Sequence, residues 1–99
     1  WLLLPVMRDV AASRDAETVN AIVREVAQDR PQVILIDTVP LTADDKGAYQ
    51  AHFADLSGQR RQMRAGDGVH FEMPAYELFA DIVLKRLREA SPRFARLAE

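Results

Sequence analysis

The sequence predicts an α/β protein built on parallel strands. Two continuous apolar runs, residues 1–4 and 33–36, flank an amphipathic helical stripe, and a second helical stripe follows a polar middle. Apolar runs of strand length with no alternation read as strands buried on both faces, the usual state of strands in a parallel sheet. Strand, helix, strand is then the βαβ unit, whose strands are parallel neighbours joined by a right-handed crossover. With 99 residues the chain holds one domain at most.

Each element has its own signal. Pro5 closes the first strand because it brings no N–H to a ladder. Residues 6–14 read as a loop carrying Met7, Arg8 and Asp9, and Asp15 is the expected N-cap of the first helix. Val19, Ile22, Val23, Val26 and Ala27 follow at i, i+3, i+4, i+7 and i+8, leaving Arg24, Glu25 and Asp29 to solvent. Pro31 ends that helix, since the residue before a proline is pushed out of the α region. The second strand, 33–36, leads into a turn-rich stretch, 37–47, where Asp44 and Asp45 read as turn carboxylates; no calcium-loop spacing follows them. Residues 48–53 and 60–64 flank Asp55-Leu56-Ser57-Gly58 and predict a short exposed hairpin. Gly66 and Gly68 mark a tight turn. Pro74 suits the first turn of the last helix, whose stripe is Tyr76, Phe79, Ala80, Val83, Leu84 and Leu87. Pro92 stops it, and 93–99 is read as a tail.

Composition excludes several functions. Thirteen basic against fifteen acidic side chains give a net charge of −2, which argues against a nucleic-acid binder. The absence of cysteine removes disulfide scaffolds, thiolate metal sites and cysteine nucleophiles. No membrane span is expected, because the longest apolar run, 1–6, is far short of the roughly 20 residues required. The chain opens as if in mid-sheet, and the expectation is the C-terminal part, 1–99, of a single longer domain. The upstream half would then be covalent or a separate partner chain.

Chemistry concentrates in Gly66-Asp67-Gly68-Val69-His70-Phe71. An Asp three residues before a His on a turn can fold its carboxylate onto the imidazole, fixing the tautomer and leaving the other ring nitrogen to take a proton. The same pattern also serves as a hydrogen-bonded loop clip. Both readings stand on these residues alone.

Val33-Ile34-Leu35-Ile36-Asp37-Thr38, Lys46-Gly47-Ala48-Tyr49 and Arg64-Ala65-Gly66-Asp67-Gly68-Val69-His70-Phe71, with Leu4-Pro5-Val6-Met7-Arg8 ahead of them, resemble the C-terminal half of SGNH/GDSL hydrolases. The likeness is closest to a bacterial, often periplasmic branch whose function is unknown. The resemblance implies a flavodoxin-like three-layer α/β/α sandwich with a parallel sheet, of which this chain is the β-α-β-(hairpin)-α part. It implies His70 as general base and Asp67 as its orienting partner, in ester hydrolysis or acyl transfer through an acyl-serine. The substrates implied are acylated, notably acetylated, carbohydrates or small esters, in the periplasm or cell envelope, with the cytoplasm as the alternative. Two departures stand out. The family's nucleophile and oxyanion blocks are absent, since Ser13, Ser57, Ser91 and Asn20 lie in other contexts, and Glu72 replaces the family's common Thr after His-Phe.

Other residues carry weaker signals. Arg8, after the first strand on the same sheet edge as His70, and Glu72, following His-Phe, are candidate substrate-binding residues, with a loop salt bridge the alternative for Arg8. His52 reads as an exposed strand residue, and Arg60, Arg61 and Arg64 as a solvated hairpin face or an anion-steering cluster. Trp1 and Phe71 are expected in the core, and Arg86, Arg88, Arg93 and Arg96 on a solvated helix end. His52, His70 and Asp67 have no metal-site spacing, so neither metal nor cofactor is expected. Two rival readings remain: a non-catalytic polysaccharide-binding or assembly module of the cell envelope, and a separate small chain that completes another subunit's sheet.

Overall fold

The computed structural model describes residues 1–95. The first helix, α1, spans Val10–Ala27 and is opened by Asp9, whose Oδ2 accepts the N–H of Ala12 at 2.9 Å. The expected cap, Asp15, lies inside the helix instead. A cap acts only where the chain enters the helix, and the chain enters at Asp9. Ser13 ties the incoming segment to the first turns: its Oγ accepts Met7 N–H at 2.6 Å and donates to Met7 O at 3.0 Å. The helix ends at Ala27, before Pro31. Its inner face is Ala16 and Asn20, buried, then Val23 and Ala27, half-buried. Val19, Ile22 and Val26 of the expected stripe are exposed.

Residues 1–4 and 33–36 lie side by side in parallel, around a bridge between Leu2 and Ile36. Ile36 N–H donates to Trp1 O and Leu3 N–H to Ile36 O, both at 2.9 Å. The next group on that edge, Leu3 O, is taken by a side chain, and a side chain of α1 covers Leu4 on the opposite edge. Asn20 Oδ1 accepts Leu4 N–H at 2.7 Å while its Nδ2 donates to Leu4 O at 2.8 Å. Buried Thr38 donates to Leu3 O at 2.6 Å. Trp1, expected in the core, is 67% exposed. No described element covers its outer face.

A short helix, α2, spans Val39–Thr42 within the stretch expected to be turns. The hairpin forms as expected but shorter, with β1 at His52–Ala54 antiparallel to β2 at Arg60–Gln62 and Phe53 opposite Arg61. In its turn Asp55 Oδ1 accepts the N–H groups of Ser57 and Gln59 and the Ser57 hydroxyl, and Gly58 takes φ +86°. The chain is thus mixed α/β. Among the described residues its regular sheet is this antiparallel pair, and they do not show a parallel three-layer sandwich.

The last long helix, α3, spans Met73–Ala90 with Pro74 in its first turn. It buries Ala75 and Phe79 against Phe53 and Met63, with Phe71 and Leu78 packed at the edge of this core. Phe71 meets Phe79 edge-on, ring centroids 4.8 Å apart, so the expectation that Phe71 packs with the core holds. Tyr76 and Leu84 of the expected stripe are exposed instead. Extended Ser91 closes α3, and a further helical turn, α4, follows at Pro92–Ala95 where a tail was expected. Arg96 and Glu99 lie outside the described residues. Among the described residues no helix is long and apolar enough to cross a membrane.

Asn20→Ala strips Leu4 of both partners and lowers stability by about 1–3 kcal/mol, read as a shift in the denaturant midpoint. A change of only a few tenths would show that the amide merely fills space.

Candidate active site around Asp67 and His70

The site rests on a buried arginine. Past the end of β2 the chain buries two consecutive side chains, Met63 and Arg64, at 0% and 1% exposure. The Arg64 guanidinium donates through Nη1 to Val6 O at 2.8 Å and through Nη2 to Val69 O at 2.9 Å, with Met7 Sδ 3.7 Å from Nη2. Its Cζ lies 4.4 Å from the Phe71 ring centroid and 4.9 Å from that of Tyr49, cation–π distances for both rings. It has no carboxylate partner among the described residues, and its Nε is buried without a hydrogen bond. Burial lowers the Arg64 pKa, while Tyr49 and Asp67 work the other way. The solvated face expected of Arg60, Arg61 and Arg64 is therefore correct for the first two only. Arg60 and Arg61 are exposed, with Arg61 3.6 Å from Asp55. Arg64 turns inward because alternation breaks where the hairpin runs into the next loop.

That loop is closed by its own backbone. Ala65 N–H donates to His70 O at 2.8 Å and Glu72 N–H to Met63 O at 2.9 Å, bracketing a bridge between Arg64 and Phe71. Inside it Gly68 takes φ +74°, and its N–H reaches Ala65 O at 3.1 Å. A Cβ there would be strained by the backbone alone. The turn brings Asp67 back onto the chain that follows. Its Oδ1 accepts Val69 N–H at 2.8 Å and His70 N–H at 2.9 Å, and its Oδ2 lies 2.5 Å from His70 Nδ1.

These contacts decide the protonation pattern. The His70 hydrogen bond, then the two backbone N–H groups, hold the Asp67 carboxyl well below the usual carboxylate range. An ionised Asp67 can only accept, so Nδ1 carries the proton and Nε2 of a neutral ring keeps its lone pair. Nε2 has no hydrogen-bond partner among the described residues, and the His70 side chain is 73% exposed. The pair can receive a proton at Nε2 and stabilise the resulting imidazolium.

The other expected residues divide. Arg8 joins the site: its N–H donates to Gly68 O at 3.0 Å and its side chain lies over Gly68. Glu72 occupies the N-cap position of α3, exposed and without a side-chain hydrogen bond. His52 is exposed on β1, as expected. Ser57 Oγ is engaged by Asp55, as Ser13 Oγ is by Met7. Asp44 acts as a turn carboxylate, accepting Lys46 and Ala48 N–H. Among the described residues no three His, Cys, Asp or Glu are grouped to hold a metal ion. Sequence reasoning missed Arg64, Tyr49 and Asn20 as organising residues. The available signal for Arg64 was its flanks, apolar Met63 and Ala65 instead of further charges.

Residues 1–86 match a family described as a protein of unknown function, DUF459. The chain belongs to the DUF459 family. The matched span includes Arg8, Arg64, Asp67 and His70, so every part of the geometry above lies within it. No curated protein matches the chain.

Two measurements check this geometry. Carbon-detected NMR should find the Asp67 carboxyl titrating well below the ~3.9 of an unperturbed Asp, and moving back toward it in His70→Ala. Because the folded-state pKa is depressed, the carboxylate's contribution to the loop is complete above that unfolded value. It is lost progressively as pH falls from that value through the depressed one. Ordinary titration would refute the pairing. Separately, Arg64→Ala leaves Val6 O and Val69 O unpaired and costs about 2–4 kcal/mol in denaturant unfolding. Arg64→Lys recovers part of that, since an ammonium does not span both carbonyls as the fork does.

Proposed function

We propose that this chain supplies the histidine and aspartate of a Ser-His-Asp site for ester hydrolysis or acyl transfer. The serine lies on an upstream part of the same domain, joined covalently or provided as a separate chain. The observation that carries the reading is the Asp67–His70 pair, with Nδ1 turned to an ionised carboxylate and Nε2 outward and unpartnered. Membership of DUF459, a family associated with SGNH/GDSL-like hydrolases, supports it.

In this reading Nε2 takes the serine hydroxyl proton as the serine oxygen attacks the ester carbonyl. Asp67 steadies the imidazolium without itself being protonated. Collapse of the tetrahedral intermediate breaks the ester C–O bond, and His70 returns the proton to the leaving alcohol. Water or an acceptor hydroxyl repeats the sequence on the acyl-serine. The oxyanion donors come from the upstream part as well. Residues 1–4 and 33–36, parallel neighbours here, become two strands of a larger parallel sheet in a three-layer sandwich. Exposed Trp1, Ile22 and Val26 are the side chains that such a sandwich would cover. Arg8, lying over the turn, contacts substrate; exposed Glu72 is the weaker second candidate. Acyl esters of the cell envelope, acetyl esters above all, are the substrate class.

The test is fluorophosphonate labelling of the protein with its upstream part, followed by peptide mapping and kinetics. The expected label falls on an upstream serine. His70→Ala should lower kcat by about 10⁴-fold and Asp67→Asn by about 10³–10⁴-fold, with thermal unfolding little changed. Wild-type turnover in folded His70→Ala overturns the proposal, and a folded wild-type protein without label or turnover favours a non-catalytic binding module.

A further inference from the structure

An open groove of about 550 Å³, whose walls include Met7, Arg8, Arg14, Glu17 and Tyr49, meets the Asp67–His70 turn through Arg8, which lies over Gly68. We infer that this groove binds an anionic oxygen group, a carboxylate or phosphate on the substrate, and that Arg8 is the residue that holds it. The word substrate rests on the function proposed above; the anion site itself does not.

The first observation is how Arg8 is held. Its backbone N–H is fixed to Gly68 O, and its side chain folds against the Gly68 α-carbon. A β-carbon built on Gly68 would stand 2.7 Å from Arg8 Cβ, 2.8 Å from Nε and 2.9 Å from Cζ. Only glycine leaves room for the guanidinium there. Packing of this kind removes rotamer freedom that a free surface arginine would lose on binding an anion.

The second observation is that this held charge is not used inside the protein. Among the described residues the guanidinium groups of Arg8 and Arg14 have no hydrogen bond and no ion pair, as is also true of the exposed Arg60 and Lys46 side chains, whereas Arg24, Arg61, Lys85 and Arg86 each meet a carboxylate. What sets Arg8 apart is that it is held and unpaired at once. Two carboxylates beside Arg8, one next to it in the chain and one on the Gly68 turn, are committed elsewhere. Asp9 caps α1, and Asp67 is taken by His70 and two backbone N–H groups. Glu17 is the groove's single carboxylate, against Arg8 and Arg14 on its walls. Behind the Tyr49 ring stands Arg64, a third guanidinium without a carboxylate partner. Positive charge therefore gathers around one concavity in a chain whose net charge is −2. A guanidinium fork matches a carboxylate or phosphate through two parallel N–H···O bonds. An anion bound by Arg8 is seated on the turn that carries His70, so the groove selects esters on an acidic carrier over neutral ones.

The experiment uses the protein with its upstream part and two probes, inorganic phosphate and glucuronate. Titration of either, followed by NMR at the Arg8 Nε–H and the Gly68 and Val69 amides, should give saturable shifts. Arg8→Gln should abolish these, Arg14→Gln should weaken them, and Arg60→Gln on the hairpin should leave them unchanged. Shifts with phosphate alone assign a phosphate-bearing carrier; shifts with glucuronate assign a uronate-bearing one. The kinetic arm compares acetylated glucuronate with neutral 4-nitrophenyl acetate. The ratio of their kcat/KM values should fall about tenfold or more in Arg8→Gln, through KM, as expected for loss of a charge-assisted hydrogen bond. No shift with either probe, or the same shift in Arg8→Gln, overturns the inference. Saturable Arg8-dependent shifts in a protein that hydrolyses neither ester keep the anion site and reject the hydrolase reading.

Discussion

The Arg64 guanidinium is the contact on which the rest of the site depends. A buried charge is tolerated only if its donors are satisfied, and here neutral partners do most of that. Two carbonyls accept from it and two aromatic rings lie against it. The partners come from segments far apart in sequence: Val6 after the first strand, Tyr49 before the hairpin, Val69 and Phe71 on the Asp-His loop. Satisfying one side chain thus draws three connections to one edge. Without it nothing in the local sequence of the 65–70 loop would place Arg8 beside Gly68. The deeper Phe53, Met63, Ala75 and Phe79 core anchors the hairpin and α3, and Arg64 joins that half to the α1 half.

A division of labour follows. The platform is buried and made of groups that keep their charge state across ordinary pH: an arginine, carbonyls and aromatic faces. The pair it carries is exposed, with the imidazole held through Nδ1 by an ionised carboxylate. Asp67 does two jobs with its two oxygens. Oδ1 fixes the turn through backbone N–H groups, and Oδ2 fixes the ring. The orientation of His70 is therefore set by the same carboxylate that shapes the loop.

How much of this could be read from the sequence depends on the distance over which each feature is decided. Asp67 and His70 were legible because their interaction spans three residues and needs only the turn that Gly68 allows. The hairpin and α3 were legible for the same reason, through Gly58, Pro74 and the local turn residues. Asp9 was displaced by Asp15 in the reading because both are acceptable caps, and the choice depends on where Met7 and Ser13 lock the incoming chain. Arg64 looked like its neighbours Arg60 and Arg61, since its partners lie up to 58 residues away. Residues 33–36 were recognised as an extended partner of residues 1–4, but the single bridge was not. The ladder ends where the Thr38 hydroxyl takes Leu3 O, and the opposite edge is covered by Asn20 of α1, side-chain contacts that no strand pattern announces. Trp1 went to the surface because apolar character states a preference for burial and does not supply the covering element.

The Asn20 amide has a consequence for motion. The Leu4 N–H is hydrogen-bonded by a helix side chain where a neighbouring strand would ordinarily accept it, so its exchange is tied to the contact with α1. Helix and strand end are thus linked through one amide. Pro5 follows immediately, and Arg8 three residues later. The anchorage of Arg8 over Gly68 is consequently coupled to the docking of a helix whose inner face is small: an alanine, an asparagine and two half-buried aliphatic side chains.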